Sequence, residues 1–247
     1  ILAKESLMEE IDMHELKARG PETDVEKLRV ELYDKVNALG IGAQGLGGLS
    51  TILDVKIMDA PCHAAGKPVW VSEFGWDASS QAPPAEGPDA KFLDSTDEEQ
   101  AMWLVRSFFL FASMGVDKAF VFFFNDEDKY SFHAASGLTR NYEPKPAYHA
   151  VAWMLQHLRD YRFSRIVQAS LTEGYVYEFV PEKAGEPVIL AVWRATDEGT
   201  VTLPEGAWTK AEQMPLTKGG GKPVELGDGG RSVLARGHPL LIWSPRK

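Results

Sequence analysis

The stretch Lys67-Pro68-Val69-Trp70-Val71-Ser72-Glu73-Phe74-Gly75-Trp76 decides how the rest of the chain is read. Val69–Ser72 is a short apolar run behind a proline, a pattern suited to a buried parallel strand. Glu73 falls where that strand ends. Gly75 permits a sharp turn just beyond it, and Trp76 offers an aromatic face beside the carboxylate. In parallel α/β folds, functional side chains gather where strands end at the carboxyl face. Glu73 is therefore the first candidate for chemistry and Trp76 for substrate contact. A strand-end glutamate held in a salt bridge is the plain alternative.

Working outward, residues 69–160 alternate strand, helix, strand, helix. Asp94-Ser95-Thr96-Asp97-Glu98-Glu99 has the form of a helix start: Thr96 and Glu99 have capping-box spacing, and the acidic residues complement the helix dipole. This helix is predicted to run to Met114 and stop at Gly115. It is apolar on nearly all sides, through Trp103, Leu104, Val105, Phe108, Phe109, Leu110 and Phe111, which predicts deep burial. Ala119–Phe124 reads as a strand buried on both faces, and a last helix starts near Pro146 with Tyr148, Val151, Leu155 and Leu158 on it. From about residue 161 the period changes to two. Gly174–Val180, Val188–Trp193 and Leu240–Trp243 are strand patterns between Gly- and Pro-rich turns, predicting a small antiparallel sandwich over 161–247.

Upstream, a helix is predicted at about 23–38 and a strand at about 52–58. A glycine-rich run, Gly40-Ile41-Gly42-Ala43-Gln44-Gly45-Leu46-Gly47-Gly48, lies between them. It has neither G-x-G-x-x-G after a strand nor Gly-Lys-Ser/Thr, so nucleotide binding is rejected.

The formal charge of −10 on 247 residues argues against nucleic acid and anionic membranes, which need clustered Lys and Arg. No stretch has the length of a membrane span. One cysteine, Cys62, excludes an internal disulfide. The first residues carry no leader pattern and no initiator Met, so a trimmed chain is expected.

Over a longer span the resemblance is specific. Val69–Asp77, Trp103-Leu104-Val105-Arg106-Ser107, Gly115–Phe120, Asn125-Asp126, Ser136-Gly137-Leu138 and Lys145-Pro146-Ala147-Tyr148 resemble the seventh and eighth β/α units of the retaining (β/α)8 clan of glycoside hydrolases. The resemblance implies an α/β fold: partial TIM-barrel-like units over 69–160, then a β-sandwich over 161–247. It makes Glu73 the nucleophile and places Phe124 and Asp126 at the sugar site. Such an enzyme also needs a protonated carboxyl about 5–5.5 Å from the nucleophile. The clan's acid/base glutamate, usually preceded by Asn, has no counterpart, because no Asn-Glu pair exists here. Glu15, Asp77 and Asp126 are the substitutes available, and each reads better as a solvated or hydrogen-bonded side chain. About three barrel-type strands precede residue 160 where eight are required. Uncovered strand edges and apolar helix faces then predict marginal stability.

Residues 1–68 resemble a different family. Leu32–Gly48, Leu53-Asp54-Val55-Lys56-Ile57 and Pro61–Val69 are similar to the iron–sulfur hydro-lyases, the class I fumarases and tartrate dehydratase α subunits. That resemblance implies a [4Fe–4S] cluster on three cysteines, which a single Cys62 cannot hold. His63 matches a family histidine and reads as structural. Two unrelated sequences are thus expected to meet at about Lys67-Pro68-Val69.

Three smaller readings complete the expectations. Trp193, Trp208 and Trp243 offer a non-catalytic carbohydrate-binding alternative, with Trp193 and Trp243 assigned to core and Trp208 to the surface. Asn125-Asp126-Glu127-Asp128 invites calcium but lacks the glycine and distal Glu of an EF-hand loop, so a solvated loop is expected. His14-Glu15 and Cys62-His63 are too sparse for zinc. Carbohydrate is the expected partner, with no nucleic acid, no membrane, no metal and no cofactor; a hydro-lyase fragment is the competing enzyme reading.

Overall fold

The computed structural model describes residues 66–87, 94–131, 133–170, 172–195 and 197–246. Apart from Gly66, Lys67 and Pro68, the hydro-lyase-like segment lies outside the described residues, with its expected helix and strand, the glycine run, His14, Glu15, Cys62 and His63.

Strand β1 (Trp70–Phe74) leads to helix α1 (Asp97–Ser113), which returns the chain to β2 (Lys118–Val121), parallel to β1. Sequence fixes both ends of α1. Thr96 accepts from the Glu99 amide, and the Glu99 carboxylate accepts from the Thr96 amide in return. Past Met114, Gly115 takes φ +75°, a left-handed exit that glycine adopts freely. Val71 and Phe74 face α1, where Phe74 meets Phe108 and Phe111 edge-on at 5.1 and 4.8 Å.

The expectation that Ala119–Phe124 is buried on both faces is corrected. Phe120, Phe122 and Phe124 are exposed, as is Trp70 on the neighbouring strand. Helix α1 covers one face of the β1–β2 pair, and no described layer covers the other.

A small sheet follows, of β3 (Asn125–Asp126), β4 (Thr139–Arg140) and β5 (Glu143–Pro144), in which β4 is central. Helix α2 (Pro146–Leu158) begins with Pro146 in its first turn. Of the apolar residues expected on it, Val151 is buried and Leu158 packs partly buried against the core. Ala147, Ala150, Val151, Trp153 and Met154 are buried, while Tyr148 and Leu155 are exposed. Small alanines and the larger Val151, Trp153 and Met154 share that inward face and join the core with α1.

The rest of the chain is antiparallel. β6 (Tyr161–Ser170), β7 (Gly174–Pro181), β8 (Ile189–Trp193), β10 (Lys210–Gln213), β11 (Lys222–Pro223) and β14 (Leu240–Trp243) form one sheet in the order β11-β10-β14-β8-β7-β6. β9 (Gly199–Thr202), β12 (Leu226–Gly227) and β13 (Ser232–Ala235) form a second sheet in the order β12-β13-β9. Strict alternation explains why the larger sheet is buried on both faces. Tyr175, Tyr177, Phe179, Ile189, Ala191, Trp193, Leu241 and Trp243 join α1 and α2 in one core. Val176, Leu190, Val192, Leu240 and Ile242 point the other way and join Val201 and Val233 of the smaller sheet. Trp208 lies in this second core, its indole N–H donating to the Pro204 carbonyl at 2.9 Å. The surface position expected for Trp208 is thus overturned. Trp193 and Trp243 are core residues.

The fold is mostly β, with two helices among the described residues. No helix among them is long and apolar enough to cross a membrane.

Candidate active site

The local irregularity of β1 sets the direction of Glu73. Val71 pairs with Ala119 and Phe74 with Val121, so β1 holds one more residue than β2 between these partners. This is a β-bulge at Ser72-Glu73. Without it, alternation from buried Val71 would turn Glu73 toward α1. With it, Ser72 and Glu73 are both exposed and Phe74 returns to the core. Bulges beside functional sites re-aim side chains in this way. Glu73 has no hydrogen-bond or salt-bridge partner among the described residues.

Gly75 lies against the chain leaving β2. A Cβ there would sit 2.4 Å from the Phe122 carbonyl oxygen, a distance no side chain tolerates. The glycine is needed for close approach of two backbones, not for an unusual φ. Trp76 is half-buried: its indole N–H reaches Ser107 Oγ at 3.4 Å, and its ring meets Trp103 at 4.9 Å. Phe124 is 61% exposed, beyond the end of β2. Asp126 is not on the surface with it. Its carboxylate is buried, 2.8 Å from Lys145 Nζ, and accepts from the Asp128 amide at 3.1 Å. Glu73 and Phe124 are thus both exposed, Trp76 packs against α1 and Asp126 is buried.

That buried carboxylate belongs to a network which sequence reading missed. Lys145 also donates to the carbonyls of Ala78 and Ala135, both at 3.0 Å. Arg140 grips Asp97 through two bonds of 3.1 and 2.9 Å, reaches Asp128 at 3.0 Å and donates to the Ala78 carbonyl at 2.6 Å. Asp128 accepts from the Ser80 amide at 2.8 Å, the Ser80 hydroxyl at 2.6 Å and Gln81 at 3.1 Å. Burial alone would raise the Asp128 pKa. The bonds from Ser80 and Gln81 and the Arg140 charge outweigh it and hold that carboxyl down at about 2. Burial pushes the Asp94 carboxyl the other way, only partly offset by the amides of Ser79 and Ser95. The solvated-loop expectation for Asp126 and Asp128 is corrected, because Lys145 and Arg140 neutralise them. No signal in the spacing pointed to Arg140; Lys145 stood in a matching stretch without a role. Asp77, proposed as a substitute acid, is committed to the amides of His133 and Ala135, both at 3.0 Å.

The class of protein to which this fold is similar is the glycoside hydrolases. A family 39 glycoside hydrolase from Bacteroides cellulosilyticus WH2 superposes with a TM-score of 0.57, at 18% identity, over 79% of this chain and 38% of that one. A GH30 endoxylanase from Clostridium papyrosolvens C71 gives 0.51, at 9% identity, over 78% of this chain and 46% of the other. The N-terminal segment is similar to something else. The fumarate hydratase (fumerase) family model matches residues 1–78. A Methanocaldococcus jannaschii protein assigned as an L(+)-tartrate dehydratase α subunit is 43% identical over 75 residues, 30% of this chain. The chain spans a quarter of that relative's length and less than half of either hydrolase.

Proposed function

We propose that residues 69–247 are the end of a retaining glycoside hydrolase acting on carbohydrate, with Glu73 as its nucleophile. The observation that carries this reading is the bulge that leaves Glu73 solvent-facing at the end of a parallel strand, without a partner among the described residues. β1-α1-β2-α2 is then a part of a (β/α)8 barrel, and the two antiparallel sheets are the sandwich behind it. Trp76 and Phe124 supply the aromatic walls of a sugar site; Asp126 acts from below, tying the strand-end loops together rather than touching sugar. The change between the two resemblances falls within residues 67–78, where the hydro-lyase match overlaps β1.

Attack of Glu73 on the anomeric carbon requires a leaving group that departs with its electron pair. None of the hydrogen bonds and ion pairs among the described residues joins a second carboxyl to Glu73, so on this reading hydrolysis rests on the leaving group rather than on a neighbouring acid. The chain should therefore process only glycosides whose leaving group is already stable as an anion. The test is incubation with 2-fluoro-2-deoxy dinitrophenyl glycosides and mass mapping of the labelled peptide. A glycosyl adduct on Glu73, absent in Glu73→Gln, is the expected result. No adduct with any sugar configuration, or one elsewhere, overturns the reading.

The family match to residues 1–78 gives the hydro-lyase reading its footing. The residues present do not fit its cluster: the whole chain has one cysteine where three thiolates are required.

A further inference from the structure

A cavity of about 570 Å³ opens at the far end of α2, bounded by the start of β6, the turn between β7 and β8, and the end of β14. None of its lining residues belongs to β1, α1 or β2, so it is independent of the Glu73 reading. Its volume is in the range of small-molecule sites.

The chemistry of the lining narrows the ligand. Trp243, a core residue, contributes to the lining and meets His157 edge-on at 5.1 Å. Burial pushes the His157 imidazole down, so it stands uncharged at neutral pH. Burial also pushes the Tyr161 phenol up, which keeps it a hydroxyl donor, and the Gln156 amide adds a neutral donor and acceptor. Among the charged lining residues most are already answered. Lys210 sits 4.4 Å above the Trp243 ring and 2.8 Å from Glu212; Arg246 is 3.4 Å from Glu186; Asp160 is 3.7 Å from Arg159. Lys183 has no ionic partner among the described residues. The cavity thus combines aromatic walls, neutral hydrogen-bonding groups and one uncompensated positive charge.

We infer that this cavity binds a small polyhydroxylated carboxylate, a hexuronic acid unit, with its carboxylate at Lys183 and its ring against Tyr161. The unit can be a free acid or the end of an acidic polysaccharide.

Calorimetric titration of the full chain tests this, using D-galacturonate, D-galactose, acetate and tri-galacturonate at one ionic strength. Galacturonate is expected to saturate a single site, with galactose and acetate at least about tenfold weaker, since each lacks one half of the recognition. Tri-galacturonate binding tighter than the monomer assigns a polysaccharide end; equal affinity assigns the free acid. Lys183→Gln, on an exposed turn, should weaken galacturonate about tenfold, and Tyr161→Phe should weaken it less. Glu73→Gln should leave it unchanged. Absence of saturable binding, equal binding of galactose or acetate, or indifference to both cavity variants overturns the inference. So does loss of binding in Glu73→Gln, which would place the ligand at β1.

Discussion

Two apolar strands of similar sequence character meet opposite fates in this molecule. Ile189–Trp193 in β8 is buried at every position, while Ala119–Phe124 around β2 buries one side and shows phenylalanines on the other. Both runs look alike because strand apolarity records what a segment can bury, not what is available to cover it. β8 has helices on one face and the smaller sheet on the other. The β1–β2 pair has α1 and nothing further among the described residues. The two regions also cohere differently: stacked rings and aliphatics hold the six-stranded sheet, while ion pairs at Lys145 and Arg140 hold the loops around Glu73.

The comparison can be broken most directly by truncating one tryptophan in each region. Trp193 is 2% exposed and touches Phe109 at 5.8 Å and Tyr175 at 5.0 Å, whereas Trp70 is 56% exposed. Trp193→Ala should cost about 4–5 kcal/mol in urea unfolding through the cavity it leaves. Trp70→Ala should cost roughly 0.5 kcal/mol or less, as ordinary surface changes do. Equal losses would falsify the uncovered face of β1–β2.

The ionic half of the comparison is sharpened by Lys145→Ala. It strands the buried Asp126 carboxylate and leaves the Ala78 and Ala135 carbonyls without their donor. Removing one partner of such a pair should cost about 3 kcal/mol. The double variant Lys145→Met, Asp126→Leu should recover part of that. A double variant no better than Lys145→Ala would show that packing, not stranded charge, is what Lys145 provides.

How far the sequence could be read follows the same line. Local devices were legible, because each is written within a few residues: the Thr96–Glu99 box, the Gly115 exit, the Pro146 start, and the period-two strands after 161. The parallel β1–α1–β2 unit and the strand-end position of Glu73 were legible from pattern and resemblance together. What depended on distant partners was not. Trp208 gave no sign that Pro204 and the second core would enclose it. The outward face of β2 and the inward alanines of α2 are properties of their neighbours. The bulge that exposes Glu73 depends on a register with Ala119 and Val121, which no reading of β1 alone contains.

A smaller effect tests whether local signals carry their own weight. Thr96→Ala removes the hydroxyl that accepts from the Glu99 amide and should cost about 1 kcal/mol, a typical N-cap value. Because α1 packs on both the exposed pair and the six-stranded sheet, the loss should lower the single unfolding transition of the whole described unit. Two separated transitions would show that the β1–β2 region unfolds on its own.

A test of a different kind separates the ionic region from the apolar one by acidity. The Asp128 carboxyl is held down from an ordinary 3.8 to about 2, its bonds from Ser80 and Gln81 and the Arg140 charge outweighing the opposing effect of burial. A carboxyl with a depressed folded pKa stabilises fully above its unfolded value and loses that contribution as pH falls through its folded value. Wild-type stability should thus converge on that of Asp128→Asn between about pH 4 and pH 2, the window those two values set. Other carboxyls titrate there too, but they are common to both proteins and cancel in the difference. Valine replacements in β8 should show no such convergence, since no charge is lost there. A gap between wild type and Asp128→Asn that stays constant from pH 5 to pH 2 would mean that Asp128 holds the Ser79–Gln81 loop by shape alone.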